Sequence, residues 1–288
     1  MINHEAGAGS YVRTGLASAL IFAVALVAAP SAMANTTRST NWAGYAVHRP
    51  GVSFSEVSAS WTQPDATCVP GAPSYSADWV GLGGYKPTSD ALEQTGTEVD
   101  CNSAGKVVSS AWYELVPAPS KTIALRVEPG DVMHATVTVT GNQVVIELDN
   151  LTRHQSFHKT LTAPSIDVSS AEWIVEAPSE CLGQYACQAL PLADFGSVLF
   201  SSATARSSTG AVGSIASHRW SRSRIDLVAG AQSLIVSRNA SDGLGTAAPS
   251  PLFGGGRSFD VTYATVPPQA GQPLLRRDSS VRAGYIEH

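Results

Sequence analysis

Two glutamates sit on one face of an otherwise apolar stretch, Ala171-Glu172-Trp173-Ile174-Val175-Glu176. Aromatic and β-branched residues make this stretch a strand, and in a strand residues two apart share a face. Glu172, Ile174 and Glu176 therefore point one way, and Trp173 and Val175 the other. Glutamate is almost never fully buried unless something pairs with it. A face carrying two carboxyl groups is therefore unexpected on an apolar strand and needs either partners or a role. A second stretch, Trp79-Val80-Gly81-Leu82-Gly83-Gly84, runs as a strand into a glycine-rich turn. Beyond it, Leu92, Gln94 and Gly96 share one strand face, as do Trp112 and Glu114 in residues 109–117. Gln94 supplies a neutral amide donor, and Glu114 is a further carboxyl group.

Other catalytic sets are poorly supported. There is no G-x-S-x-G, so the abundant serines have no nucleophile turn to sit on. His154 and His158 lie in NLTRHQSFHK, read as a non-helical loop, where a spacing of four does not align them. No C-x-x-C or paired histidine suggests a metal site, so neither metal nor cofactor is expected. The Arg-rich run HRWSRSRID (residues 218–226) could meet an acidic substrate residue, although a charge run is more often a solvated face.

These residues have to be positioned by strands. Short alternating runs recur at residues 52–63, 121–130, 134–150, 196–205, 232–237 and 257–266, separated by turn residues. The run 134–150 reads as a hairpin turning at Gly141-Asn142. Helical signals are nearly absent after residue 34, so the fold class is all-β, a sandwich or barrel.

Residues 1–34 read as a signal peptide. Arg13 precedes an apolar run at 15–29 and an A-x-A site at Ala32-Met33-Ala34. That run is too short and wrongly flanked for a membrane span. The expectation is a secreted chain with no membrane partner, a single domain over 35–263, and a loosely attached tail over 264–288. Full-length composition is mildly acidic, with 18 Lys and Arg against 23 Asp and Glu, which argues against nucleic acid. The four cysteines, Cys68, Cys101, Cys181 and Cys187, suit disulfides in an exported protein, with three possible connectivities. The pairing favoured is Cys68–Cys101 and Cys181–Cys187, the second closing a short loop just after the Glu172–Glu176 strand.

Taken together, the segments resemble the glutamic peptidase (eqolisin) family. The matches are Asn41-Trp-Ala-Gly-Tyr45, Trp61-Thr-Gln-Pro64, Trp79-Val-Gly81, Gln94-Thr-Gly96, Trp112-Tyr-Glu114, Ala171-Glu-Trp-Ile-Val-Glu176, Asp194-Phe-Gly196 and Ser258-Phe-Asp-Val-Thr-Tyr263. They occur in the family's order. The resemblance implies a two-sheet antiparallel β-sandwich of lectin-like jelly-roll type and an acid endopeptidase working on protein or peptide as a monomer. It maps the catalytic dyad onto Gln94 and Glu176, with Glu172 as the rival carboxylate. Trp79, Trp112, Glu114 and Glu172 become expected substrate-binding residues. Fungal members often carry Asp where this chain has Gly83, and a long pro-segment before the first tryptophan, which is not evident here. Two rivals are a non-catalytic peptide- or glycan-binding module of the same fold, and a glycosidase pairing Glu114 with Glu176.

Overall fold

A computed structural model describes residues 35–86, 88–182, 186–228, 245–265 and 285–287. In chain order the strands begin with β1 (Asn35–Ser39), β2 (Trp42–His48), β3 (Phe54–Thr62), β4 (Ala77–Gly83), β5 (Leu92–Cys101) and β6 (Val107–Val116). Next come β7 (Lys121–Ile123), β8 (Val132–Thr140), β9 (Gln143–Asn150), β10 (Gln155–Thr162), β11 (Ser170–Glu176), β12 (Ser179–Leu182) and β13 (Ala186–Ala189). The remainder are β14 (Ser197–Ser207), β15 (Val212–Gly213), β16 (Ser221–Leu227), β17 (Thr246–Pro249), β18 (Phe259–Ala264) and β19 (Tyr285–Glu287).

Hydrogen bonding links most of them in the order β10-β9-β8-β3-β14-β18-β17-β16-β2-β11-β4-β5-β6-β7. The path folds over so that β3 and β8 face β4, β5 and β11, giving an antiparallel sandwich. Between the layers lies the main core, with Val57, Trp61, Val137 and Phe200 from one side and Val80, Leu82, Trp173 and Val175 from the other. Polar anchors cross this core. Trp173 Nε1 donates to the Ser58 carbonyl at 2.9 Å, and Trp61 Nε1 donates to Thr97 Oγ1 at 2.9 Å. Each satisfies a buried indole N–H that would otherwise cost stability.

Strands β8 and β9 alternate buried and half-buried side chains, the signature of one covered face. They form the expected hairpin, Thr140 opposite Gln143, with Gly141 at φ 63°. The central strands β2, β4 and β11 instead are buried almost throughout. Their second face carries a separate apolar cluster of Trp42, Trp79, Leu92, Trp112, Ile174 and Ile225, with others. The tryptophans are thus divided between two clusters, and the second is built around the glutamate face.

Sequence and structure part company locally. Residues 150–159 are not all loop: His154 is in a turn at φ 54°, but His158 lies on edge strand β10 opposite Glu147. The run 121–130 supplies only the short β7, and the run 232–237 falls outside the described residues. Cys68 and Cys101 are bonded, with Cα atoms 5.2 Å apart. The β12–β13 ladder sets Cys181 opposite Cys187, but their side chains, and so that expected bond, lie outside the described residues. At the far end of the chain, β19 pairs with β12.

Candidate active site

Strand β11 is the spine of the site, flanked by β2 and β4, with β5 and β6 beyond β4. Its registers place the functional side chains on three parallel rungs of one face. The first rung is Ala46, Glu172, Gly81, Gln94 and Glu114; the middle one is Gly44, Ile174, Trp79, Gly96 and Trp112. The third is Trp42, Glu176, Ala77, Glu98 and Ser110. The sequence-predicted Gln94, Glu114, Glu172, Glu176, Trp79 and Trp112 therefore share one face, as period-2 alternation requires.

Glu176 is nearly buried, at 3% exposure, and both its oxygens are held. Trp79 Nε1 donates to Oε2 at 2.8 Å, and Asn41 Nδ2 donates to Oε1 at 3.1 Å. Two N–H donors favour the ionised carboxylate. Asn41 is itself oriented: Ser39 Oγ donates to its Oδ1 at 2.7 Å, which leaves the amide nitrogen turned toward Glu176. Trp42 packs edge-on against Trp79 with ring centroids 5.0 Å apart, so the indole cannot swing freely. Asn41 was legible only as part of the N-W-A-G-Y segment, because its contact spans 135 residues.

Gln94 donates from Nε2 to Glu114 Oε2 at 2.7 Å. The amide NH₂ carries two N–H donors, and this bond fixes the plane in which both lie. Gly96 lets β4 approach: a Cβ there would fall 2.1 Å from the Asp78 carbonyl oxygen. That is the physical reason for glycine two residues after the glutamine.

Glu172 differs from Glu176. It is fully buried, and neither carboxyl oxygen has a hydrogen-bond partner among the described residues. Burial pushes its pKa well above the ordinary range; Ser170, close by but outside strict hydrogen-bond geometry, pulls it down, and nearby Asp167 and Glu93 raise it further. It is therefore neutral in acid, a poor general base next to the doubly held Glu176. Two more buried carboxyls, Asp78 and Glu93, and the half-buried Asp100 escaped sequence reasoning. Asp78, on the core side of β4, has both oxygens unpartnered and is pushed well up by burial. Burial likewise raises Glu93 to about 9 and Asp100 to about 8.

The glycine turn is informative too. Gly83 has φ 91°, and a Cβ there would lie 2.4 Å from the Asp167 carbonyl oxygen. The carboxylate beside this turn comes from Asp167, whose Oδ2 accepts from Ser89 Oγ at 2.5 Å and Gly84 N at 3.4 Å. Burial raises its pKa, but hydrogen bonds from Ser89 and Ser169 outweigh that and hold it below the usual value. No cluster of three His, Cys, Asp or Glu that could hold a metal occurs among the described residues.

The structure is thus an all-β antiparallel sandwich with buried carboxyl and carboxamide side chains on one sheet face. Residues 40–242, more than half of the chain, match the Peptidase A4 family. The chain belongs to that family, the glutamic peptidases, and is a peptide-bond hydrolase. It is 28% identical over 202 residues to aspergillopepsin-2 of Aspergillus niger, covering 62% of this chain and 68% of that protein. Its fold matches scytalido-glutamic peptidase bound to a transition state analog inhibitor, with TM-score 0.60 and 24% identity, over 78% of this chain and 98% of the other. It also matches SCP-B, an eqolisin in complex with the tripeptide Ala-Ile-His, with TM-score 0.57 and 24% identity over the same shares.

Proposed function

We propose that this protein is a secreted acid endopeptidase in which Glu176 is the general base and Gln94 the oxyanion donor. The observation that carries the reading is the paired support of the two groups. Asn41 and Trp79 donate to the two carboxyl oxygens of Glu176, while Glu114 accepts from the Gln94 amide on the same sheet face.

Glu176 takes a proton from water as the water oxygen attacks the scissile carbonyl carbon. The carbonyl π pair moves onto oxygen, and the Gln94 N–H meets the developing negative charge. The Glu176 proton then passes to the amide nitrogen, the C–N bond breaks, and the amine leaves with the carboxylate regenerated. An ordinary glutamate titrates near pH 4.3, so a held carboxylate can act as base in moderate acid. Peptide binding by the eqolisin relatives supports a peptide substrate at this sheet face, but Trp79, Trp112, Glu114 and Glu172 are buried, each at 1% exposure or less, and do not line an open groove here. The N-terminal stretch supports export, and the Cys68–Cys101 bond suits an oxidising compartment.

The test is digestion of a denatured protein across pH 2 to 8, with and without a chelator and serine- and thiol-directed reagents. The reading expects an optimum below pH 7 that all three leave unchanged. Loss of turnover to a chelator, with the fold intact by circular dichroism, would overturn it.

A further inference from the structure

The Arg-rich run at residues 218–226 has a place in the fold that the peptidase chemistry does not use. A cavity of about 430 Å³ opens beyond the end of β2, lined by Arg49, His218, Arg219, Trp220, Ser208 and Thr209 among others. None of its described lining residues is acidic, although the whole chain carries a net charge of −5. Neither Arg49 nor Arg219 has a carboxylate within ion-pair reach among the described residues. By contrast Arg224 and Arg206 pair with Asp226 and Glu56.

The cavity is built rather than incidental. Arg49 Nη1 donates to the Arg219 carbonyl at 2.9 Å, which ties the β2–β3 turn to the segment before β16 and fixes one edge of the guanidinium. Trp220 forms a rigid wall: its Nε1 donates to the Ser214 carbonyl at 3.1 Å, and its ring meets Phe54 edge-on at 5.5 Å between centroids. Ser207 Oγ lies 2.9 Å from Thr209 Oγ1 and accepts from Ala211 N at 3.2 Å, so the hydroxyl-bearing turn is held as well.

We propose that this cavity binds an esterified tetrahedral oxyanion, a phosphate or sulfate monoester carried on a peptide or small organic body. Guanidinium forks match such oxygens bidentately, and hydroxyls and an imidazole N–H complete the donor set. The groove is open, with Arg49, His218, Arg219, Ser208 and Thr209 all exposed, and its volume of about 430 Å³ leaves room for the body carrying the anion against Trp220. A carboxylate is the weaker candidate. Ordinary Asp and Glu lose their charge as pH falls below about 4, whereas a phosphate monoester gives up only its second charge near about pH 6 and keeps the first in moderate acid. That preference rests on the acid working range proposed above. The cavity lies past the end of β2 opposite Glu176: Arg49 follows Trp42, the partner of Glu176, by seven residues, roughly 23 Å of extended chain, and follows Ala46, the partner of Glu172, by three, roughly 10 Å.

Binding is measured on the full chain at about pH 3.5, below the usual glutamate pKa of about 4.3, by titration calorimetry. The probes are inorganic phosphate, a phosphoserine tripeptide, its unphosphorylated twin, and the same tripeptide with glutamate. The phosphoserine peptide should bind at least tenfold more tightly than the twin or the glutamate peptide. Arg49→Ala combined with Arg219→Ala should weaken it at least tenfold, the scale of losing hydrogen bonds to a charged group. Arg49→Lys, which keeps charge but loses the fork, should fall between. Inorganic phosphate should compete with the phosphopeptide but bind more weakly, and equal affinity would overturn the esterified ligand in favour of the free anion. Equal binding of the phosphorylated and plain peptides, or unchanged affinity in the folded double variant, overturns the site. No arm requires cleavage, so failure here leaves the peptidase reading standing.

Discussion

The buried carboxyls predict that this protein loses stability as pH rises from acid toward neutrality. Asp78, Glu93, Asp100 and Glu172 all have folded pKa values raised chiefly by burial, Glu93 to about 9 and Asp100 to about 8. In the unfolded chain these groups ionise near pH 4. Below that, both states hold the protons and the groups contribute no pH dependence. Between about pH 5 and 7 the native state keeps protons that the unfolded state releases, so stability falls with pH. Each retained proton contributes a slope of about 1.4 kcal/mol per pH unit, and four give at most about 5 kcal/mol per unit. Total stability is typically only about 5 to 15 kcal/mol. Even one such group lowers stability by about 3 kcal/mol from pH 4.5 to 6.5, or about 1 M in urea midpoint for a slope near 3 kcal/mol/M. Toward stronger acid the sign reverses. Burial raises Asp131, but bonds from Arg153 and Asn150 outweigh it, and Asp167 is held down similarly. Their contribution is present above their unfolded pKa and is lost as pH falls through the lowered folded values. Maximum stability is therefore expected near pH 4. The assay is urea unfolding followed by tryptophan fluorescence at several pH values, in a Glu176→Gln background to suppress self-digestion. Asp78→Asn should flatten the decline by about 1.4 kcal/mol per unit. A midpoint that is flat or rising between pH 4.5 and 6.5 would refute the reasoning.

Three further outcomes are expected. Replacing Cys68 and Cys101 by serine opens a loop with sequence separation 33 and should cost about 3 to 4 kcal/mol in urea unfolding, with no cost arguing against the bond. Asn41→Ala removes one donor from Glu176 and should lower kcat roughly ten- to a hundredfold, the worth of a hydrogen bond to a charged group; normal kcat would show the bond to be idle. Gln94→Ala should lower kcat by about 10² to 10³ with little change in KM, because its donor acts on charge that develops only in the transition state.

Much of the site was legible because it lies on strands, where spacing alone decides the face. The alternation in Glu172-Trp173-Ile174-Val175-Glu176 puts Trp173 and Val175 in the core between the layers and the glutamates opposite. The hairpin of β8 and β9 followed from the same rule. Edge strand β10 was missed because its side chains are mostly exposed or half-buried, which leaves no hydrophobic alternation to detect. The contrast between Glu172 and Glu176 was hidden too. It arises from Asn41 and Trp79, 135 and 97 residues from Glu176 in sequence. Asp78 and Glu93 were invisible as buried groups, since an acidic residue in a strand pattern normally marks a solvent face.

The most direct measurement is the turnover of Glu176→Gln beside Glu172→Gln on one peptide substrate, with both folds verified by circular dichroism. Glutamine at 176 can keep the shape of the site but cannot take a proton from water. Glu172, buried and neutral, already holds its proton and cannot take one from water. Turnover should nearly vanish in Glu176→Gln and stay within about tenfold of the parent in Glu172→Gln, a gap of at least about 10² of the kind a general base supplies. A nearly normal Glu176→Gln beside an inactive, folded Glu172→Gln would contradict the account and move the base to the other end of the strand.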